Sequence, residues 1–253
     1  MIRLISDVHG AVEALRRAAV ADGPLLILGD LINFIDYRDN RGIVGDVAGE
    51  DFVAQVVELR SIGDYTGAGE LWRAHRRGRE EELRLRYATA IDKAYDDICE
   101  PLEGVEAYVT YGNVDNPVVL RDKLPDSATF IDAGVIEMEG AKVGMVGGGV
   151  PTINSPGEIT DDVMETRLDS IGPVDILCTH VAPDVRPLAT DVIGGRAKGS
   201  PAVLRYIERH QPPFHYFGDI HQPQAVSWRI GRTLSRNVGF FRATGRVFIH
   251  DES

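Results

Sequence analysis

The chain has 253 residues, 43% of them hydrophobic, with a formal net charge of −12 and a sequence pI near 5.0. That suffices for one sizeable core, in one large domain or in a domain carrying an insertion, and so acidic a chain lacks the basic footprint that long nucleic acids require. No run of about eighteen apolar residues occurs, so no membrane span is expected, and Cys99 and Cys178, far apart in unlike contexts, suggest no disulfide framework and point to a reducing compartment such as the cytoplasm.

Residues 2–6 read as a short buried strand with no charged leader before it, so no signal peptide is expected. Residues 11–21 have helical spacing and end near Asp22-Gly23-Pro24. Residues 25–29 form a second apolar strand that stops at Asp30. This strand–helix–strand order implies parallel neighbours joined by a right-handed crossover. Alternating helices and strands make α/β the expected class. In open sheets of that kind ligands sit at the carboxyl ends of strands, where Asp7, His9 and Asp30 fall.

Residues 36–49 are polar and Gly-rich, and read as a loop. Residues 50–100 are charged and helical in period. Phe52, Val53, Val56 and Val57 mark one apolar face, and Leu83, Tyr87, Ile91, Tyr95 and Ile98 another. This block delays the next strand longer than a crossover needs. Residues 37–100 are therefore expected as a helical insertion within a single domain spanning 1–253, serving as a lid or as a contact in a homo-oligomer. The basic run at 73–79 is either a solvated helix face or a surface turned to phosphate or to another subunit.

Residues 105–112 read as a strand ending in Asn113-Val114-Asp115, and 135–149 as a hairpin around Glu139-Gly140-Ala141. Thr160 is placed to cap a helix over 160–171. Residues 174–180 are a strand ending in His180. Ser200 and Pro201 open a helix over 199–210. Residues 214–221 are a strand ending in Asp219 and His221, and the remainder alternates about a turn at Gly231-Arg232 as antiparallel strands. The glycines at 147–149 read as a turn that lets backbone approach a site. Arg196 and Lys198, ahead of a helix start, mark an anion site or an ordinary loop. Trp72 and Trp228 are expected to pack, Asn237 to make a structural hydrogen bond, and His75, His210 and His250 to lie on the surface.

One event recurs five times: an apolar strand ends and metal-ligand residue types follow within a few positions. Each instance alone is an ordinary turn or loop. Together they matter, because parallel strands bring their carboxyl ends to one place. Asp7 and His9, two apart, share a side if strand geometry persists to them.

The ordered set Asp7-Val8-His9, Gly29-Asp30, Gly112-Asn113-Val114-Asp115, His180 and Gly218-Asp219-Ile220-His221 resembles the calcineurin-like metallophosphoesterase superfamily. The segment from Asn237 resembles the closing strands of its bacterial phosphodiesterase-type branch. The resemblance implies a four-layer αββα sandwich, two mixed sheets flanked by helices. It implies two divalent ions per chain: Asp7, His9 and His221 on the first, Asn113 and His180 on the second, and Asp30 between them. Manganese suits the mixed oxygen and nitrogen set, as do iron and zinc. The implied reaction is hydrolysis of a phosphodiester or phosphomonoester by a metal-bound hydroxide, with Asn113 and His180 orienting the phosphate. The implied partner is a small phosphoester, nucleotides included. The competing reading is a fold that has lost ligands and serves as a protein-interaction scaffold.

Two departures bear on the chemistry. Asp219 stands where the family has a histidine on the second ion, and is expected to ligate that ion in its place, since a carboxylate can coordinate it and adds a negative charge. Val114 stands where many phosphodiesterase members have a histidine beside the leaving group, and valine cannot donate a proton. Asp115 and His215 are the candidates to replace it as general acid; without one, activated esters are favoured, since general acid catalysis is typically worth about 10²–10⁴ in rate. Asn33 replaces a family aspartate, as a loop residue or a phosphate contact.

Overall fold

A computed structural model describes residues 1–36, 39–152, 155–192 and 197–250. The chain opens with β1 (Ile2–Ile5), α1 (Val12–Ala19) and β2 (Leu25–Ile27), and the two strands pair in parallel with Leu4 beside Leu26. The helices α2 (Ile43–Ala48), α3 (Glu50–Ser61), α4 (Tyr65–Arg76) and α5 (Glu80–Cys99) follow, with a 3-10 turn at Glu100–Leu102. Then come β3 (Ala107–Val109), α6 (Pro117–Lys123), β4 (Ala128–Phe130) and the hairpin of β5 (Ala133–Met138) and β6 (Ala141–Val146). The rest is α7 (Asp161–Ile171), β7 (Ile176–Thr179), α8 (Arg186–Ala189), α9 (Pro201–His210), β8 (Phe214–Phe217), the hairpin of β9 (Ser227–Ile230) and β10 (Thr233–Asn237), α10 (Phe241–Thr244) and β11 (Phe248–His250).

The strands form two mixed sheets. One has the order β11-β1-β2-β3-β4, with β11 antiparallel to β1 and the other pairs parallel. The second has the order β5-β6-β7-β8-β10-β9, antiparallel at both edges and parallel inside. Side chains alternate across each sheet, so β1 and β2 feed two cores. Leu4, Leu26 and Leu28 meet Met145, Ile176 and Cys178 between the sheets. Ile5, Leu25 and Ile27 pack outward on Leu15, Tyr95 and Ile98 of α1 and α5. Leu177 of β7 packs outward on Met164, Leu168 and Val203 of α7 and α9. Helix, sheet, sheet and helix are thus stacked as the expected four layers.

Local chemistry sets the helix starts. Thr160 accepts from the Val163 N–H, and Ser200 from the Val203 N–H with Pro201 in the first turn. Asn116 accepts from the Val118 and Val119 N–H groups ahead of Pro117. That helix, and β4 after it, have no counterpart in the reading of the sequence; α6 is only about two turns long and β4 carries no full apolar face. Three other expectations fail. The loop expected over 36–49 contains α2, whose Ile43, Val44 and Val47 are buried, a single short helical stretch that the surrounding glycines mask in the sequence. Trp228 is 47% exposed on the edge strand β9, and His250 is buried with its Nδ1 2.7 Å from the Tyr216 hydroxyl. An edge strand buries one face at most, while β11 folds back against β1 at the sheet's end, which no local pattern announces. Both cysteines are free and buried. Among the described residues no helix is long and apolar enough to cross a membrane.

Candidate metal centre

The sheets align so that β1, β2 and β3 of one and β7 and β8 of the other end on a common rim. β1 stops at Ile5, and Asp7 and His9 then take left-handed backbone, φ 58° and 41°. The strand geometry expected to carry both side chains to one side therefore does not persist. Two turns do it instead, tied across to the next strand end: the Asp7 N–H donates to the Gly29 carbonyl at 3.1 Å, His9 to Asp30 at 2.8 Å and Gly10 to Leu31 at 2.7 Å. Asp30 (φ 54°) and Asp219 (φ 62°) are left-handed as well. Such a conformation costs a non-glycine residue about 1–2 kcal/mol. Strain of this kind gathers at functional sites and persists only where the surroundings enforce it.

Asp7, His9, Asp30, Asn113, His180 and Asp219 are buried and His221 is half-buried. Around Asp7, His221 Nε2 lies 3.5 Å and His9 Nε2 3.9 Å from Oδ1, and the two imidazole nitrogens are 3.2 Å apart. The other Asp30 oxygen, Oδ2, faces His9 Nε2 at 3.5 Å, while Oδ1 faces His180 Nε2 at 3.5 Å. His180 Nε2 also lies 3.3 Å from Asn113 Oδ1 and 3.9 Å from Asp219 Oδ1. Asp7, His9 and His221 form one group able to hold an ion, and Asp7, Asp30 and His180 another.

The ligand candidates are oriented from behind. His180 Nδ1 is 2.9 Å from the Leu28 carbonyl, which can only accept, so Nδ1 carries a proton and in the neutral ring the Nε2 lone pair points at the oxygens. The Val114 N–H donates to Asp30 Oδ1 at 3.0 Å, and the Asp219 N–H to both Asp7 oxygens at 3.1 and 3.2 Å. Gly112 and Gly218 permit the close approach. A Cβ on Gly112 would collide with Asp30 Oδ1 and the His180 ring, and one on Gly218 with Ser6 and Asp7.

The electrostatics follow from burying carboxylates and imidazoles together. Burial raises the Asp30 carboxyl above its ordinary value, against the pull of His180 and the Val114 N–H. At Asp7 burial also acts upward, but His221, His180 and His9 outweigh it and hold the carboxyl at about 2. Burial, with His221 beside it, takes the His9 imidazole down to about 3. For His180 burial favours the neutral ring, yet Asp30, Asp7 and Asp219 prevail and raise it. His221 is raised likewise, chiefly by Asp7 against its burial.

This donor set fits divalent cations. His180 Nε2 and three oxygen acceptors converge, and the two donors that reach them, the Val114 N–H on Asp30 Oδ1 and the Lys198 ammonium on Asp219 Oδ1, leave further lone pairs unmet; buried acceptors left so cost several kcal/mol unless a cation or proton joins them. Asp219 Oδ2 is buried without a hydrogen-bond partner among the described residues. Imidazole nitrogen with carboxylate and amide oxygen suits a first-row transition ion better than calcium.

Lys198 changes the picture at Asp219. Its ammonium lies 3.3 Å from Asp219 Oδ1, with a third of the side chain still exposed, and the carboxylate raises its basicity. The Lys198 N–H donates to the Ala189 carbonyl, and the Thr190–Ala197 and Pro183–Ser200 bridges hold its loop beside β7's end. The basic loop noticed in the sequence thus delivers one cation to the cluster; its Arg196 lies outside the described residues.

Asp115 and His215 stand apart from the cluster. Asp115 Oδ1 accepts from the Leu31 N–H and the Tyr95 hydroxyl, and Oδ2 from the Gly112 N–H. Burial, with Asp30 nearby, pushes its carboxyl up to about 7. His215 is buried between the Thr179 and Ser235 hydroxyls at 2.9 and 2.7 Å. Two contributors carried no sequence signal. Phe240 stacks on His221 with ring centroids 3.8 Å apart, and Arg242 pairs with Asp36 at 2.8 Å while donating to the His9 carbonyl. Both come from the chain's return to the first sheet, which only the fold brings here.

No family model matches the chain, and no curated protein does. A solved structure 14% identical in sequence superposes with a TM-score of 0.63, covering 100% of this chain and 98% of the other. Another, reported as "Structural and Functional Characterization of a Novel Archaeal Phosphodiesterase", is also 14% identical and covers 96% of this chain and 87% of its own, but at a TM-score of 0.36 it carries no argument here. At such identities the first likeness establishes one thing, a shared fold of two mixed sheets flanked by helices.

Proposed function

We propose that this chain is a metal-dependent phosphoesterase, a member of the calcineurin-like superfamily by resemblance, acting on a small organic phosphoester. One observation carries the reading: the His180 Nε2 lone pair, both Asp30 oxygens, Asn113 Oδ1 and the Asp7–His9–His221 group converge from five strand ends. Asp7, His9 and His221 would hold one divalent ion, Asn113 and His180 the second, and Asp30 would face both. Such ions supply Lewis-acid charge to a phosphoryl group and to water.

The chain's own groups would do the rest. Leu28 fixes the His180 tautomer, Val114 N–H fixes Asp30, and Phe240 holds the plane of His221. Lys198 places a cation where phosphoryl oxygens would approach Asp219. None of the expected general acids stands ready: Val114 has no proton to give, and Asp115 and His215 are committed to partners elsewhere. Leaving groups that depart unaided are therefore favoured. The acidic chain disfavours long nucleic acid.

The test is a panel of activated mono- and diesters, p-nitrophenyl phosphate and bis-p-nitrophenyl phosphate, with added manganese. The parent should turn over at least one of them only when metal is present. Asp30→Ala should lose on the order of 10³-fold in rate. Equal rates in the two proteins overturn the reading. Metal content of protein purified without chelator separates it from a scaffold role, since a scaffold has no need to retain close to two ions.

A further inference from the structure

Beside the cluster the helical segment leaves a cleft of about 730 Å³. Its walls are Ile32, Phe34, Val44, Val56, Trp72 and Ile91, and Val114 and Ser155 close its inner end. That inner end belongs to the candidate centre. The Val114 N–H holds Asp30 Oδ1, and the Ser155 hydroxyl donates to the carbonyl of Asn113. The valine that leaves the site without a proton donor also makes the adjoining wall apolar.

The geometry points to an amphiphilic phosphoester as the ligand: its phosphate at the strand-end cluster, a bulky apolar ester group in the cleft, and a second anionic group at the cleft's outer rim. The cleft falls within the usual volume range of small-molecule sites, about 300–1,000 Å³. Tyr87 lines it, and the Tyr87 hydroxyl is buried with no hydrogen-bond partner among the described residues, as a ligand oxygen would provide. Arg73 and Arg76 of α4 also line it. Arg76 has no carboxylate within ion-pair distance among the described residues, and Arg73 meets Glu70 only at 3.8 Å on the exposed face. These guanidiniums match an anionic group in an otherwise acidic protein. A nucleobase is disfavoured because, Tyr87 and Trp72 aside, the lining's neutral polar side chains are already engaged. Asn116 caps α6 and Ser155 is spent on Asn113, so the edge of a base would find few partners.

This inference rests on the phosphoesterase reading for the phosphate, and on the cleft alone for the apolar group. Trp72 in the wall and Trp228 on exposed β9 are the two tryptophans of the chain. Metal-free Trp228→Phe protein therefore reports from the cleft by its remaining fluorescence. Titration with methyl, butyl and octyl phosphate and with adenosine monophosphate is the test. Affinity should rise up to about fourfold per methylene until the cleft fills, and 8-phosphooxyoctanoate, which adds a second anionic group, should bind up to about fivefold more weakly to the same protein carrying Arg76→Ala, while octyl phosphate, which lacks that group, should be unchanged. Affinity independent of chain length overturns the inference, even where bis-p-nitrophenyl phosphate is hydrolysed with metal. Tighter binding of adenosine monophosphate than of octyl phosphate overturns it in favour of a nucleotide. Chain-length dependence with no metal-dependent hydrolysis of any ester leaves the cleft standing and removes the phosphoesterase reading instead.

Discussion

Asp30 takes the Val114 N–H on one oxygen, faces His180 with that same oxygen and His9 with the other, and gives its carbonyl to the His9 N–H. Arg84 on α5 meets Glu81 one helical turn away, and both are exposed. The strand-end rim and the helical segment differ throughout in this way. The rim is fixed from several sides by backbone hydrogen bonds and glycine contacts, and it sustains left-handed residues and buried charge. The segment between β2 and β3 rests on the first sheet through α5, but its outer helices are held by a small core of Val44, Phe52, Val53 and Val56, with ion pairs along its surface. Chemistry that depends on tenths of an ångström belongs on the first kind of support. A wall that selects the shape of a substrate can stand on the second.

The comparison breaks most directly at Gly112. Gly112→Ala drives a Cβ into Asp30 and His180. Overpacking of this kind should destabilise the protein by about 1–3 kcal/mol or more, read in a urea denaturation series. The same substitution at Gly63 or Gly78, with nothing within 4 Å of the added carbon but positive φ, should cost only the smaller strain of the backbone. Equal losses at the three positions would mean the rim is not the tighter region.

A second difference is between two buried histidines, one in the core and one on the rim. Burial depresses His215 from 6.5 to about 3 in the folded state. The unfolded chain then binds the extra proton first as pH falls, so this group's contribution is fully present above pH 6.5 and is lost on descending towards 3. At about pH 4 the loss relative to neutral is about 3 kcal/mol. His215→Asn should flatten the acid limb of stability against pH, measured on metal-free protein. An unchanged limb would mean that His215 is protonated in the fold. His180, raised by its carboxylates, contributes in the opposite direction.

The smallest effect sharpens the Lys198–Asp219 contact. Together the two side chains carry the charge of one neutral histidine. Lys198→Met leaves a carboxylate unopposed and should tighten manganese binding about tenfold in calorimetry on metal-free protein. Asp219→His leaves the ammonium unopposed beside an imidazole and should weaken it. The double variant should return towards the parent, with a coupling of about 1 kcal/mol or more. Additive effects would show that the two groups act independently on the ions.

The order of ligand types along the chain was legible from residue identity, because apolar runs of four or five residues followed by Asp, His or Asn mark strand ends without knowledge of the fold. So were the hairpin at Glu139-Gly140, the caps at Thr160 and Ser200 and the helical period of α3 and α5, each of which rests on contacts a few residues apart. Asn113, His180, Asp219 and His221 could be named in advance for the same reason.

What tertiary structure alone decided lies in contacts far apart in the chain. The left-handed turns at Asp7 and His9 answer to the Gly29 and Asp30 carbonyls of another strand. Lys198 reaches Asp219, Phe240 reaches His221 and α10 reaches the end of β1 because two sheets are packed face to face. Asp115 became a brace for its loop because backbone N–H groups of Leu31 and Gly112 surround it. Sequence determines which groups a strand end offers; the packing of sheets determines which of them meet, since that depends on distances no local pattern encodes.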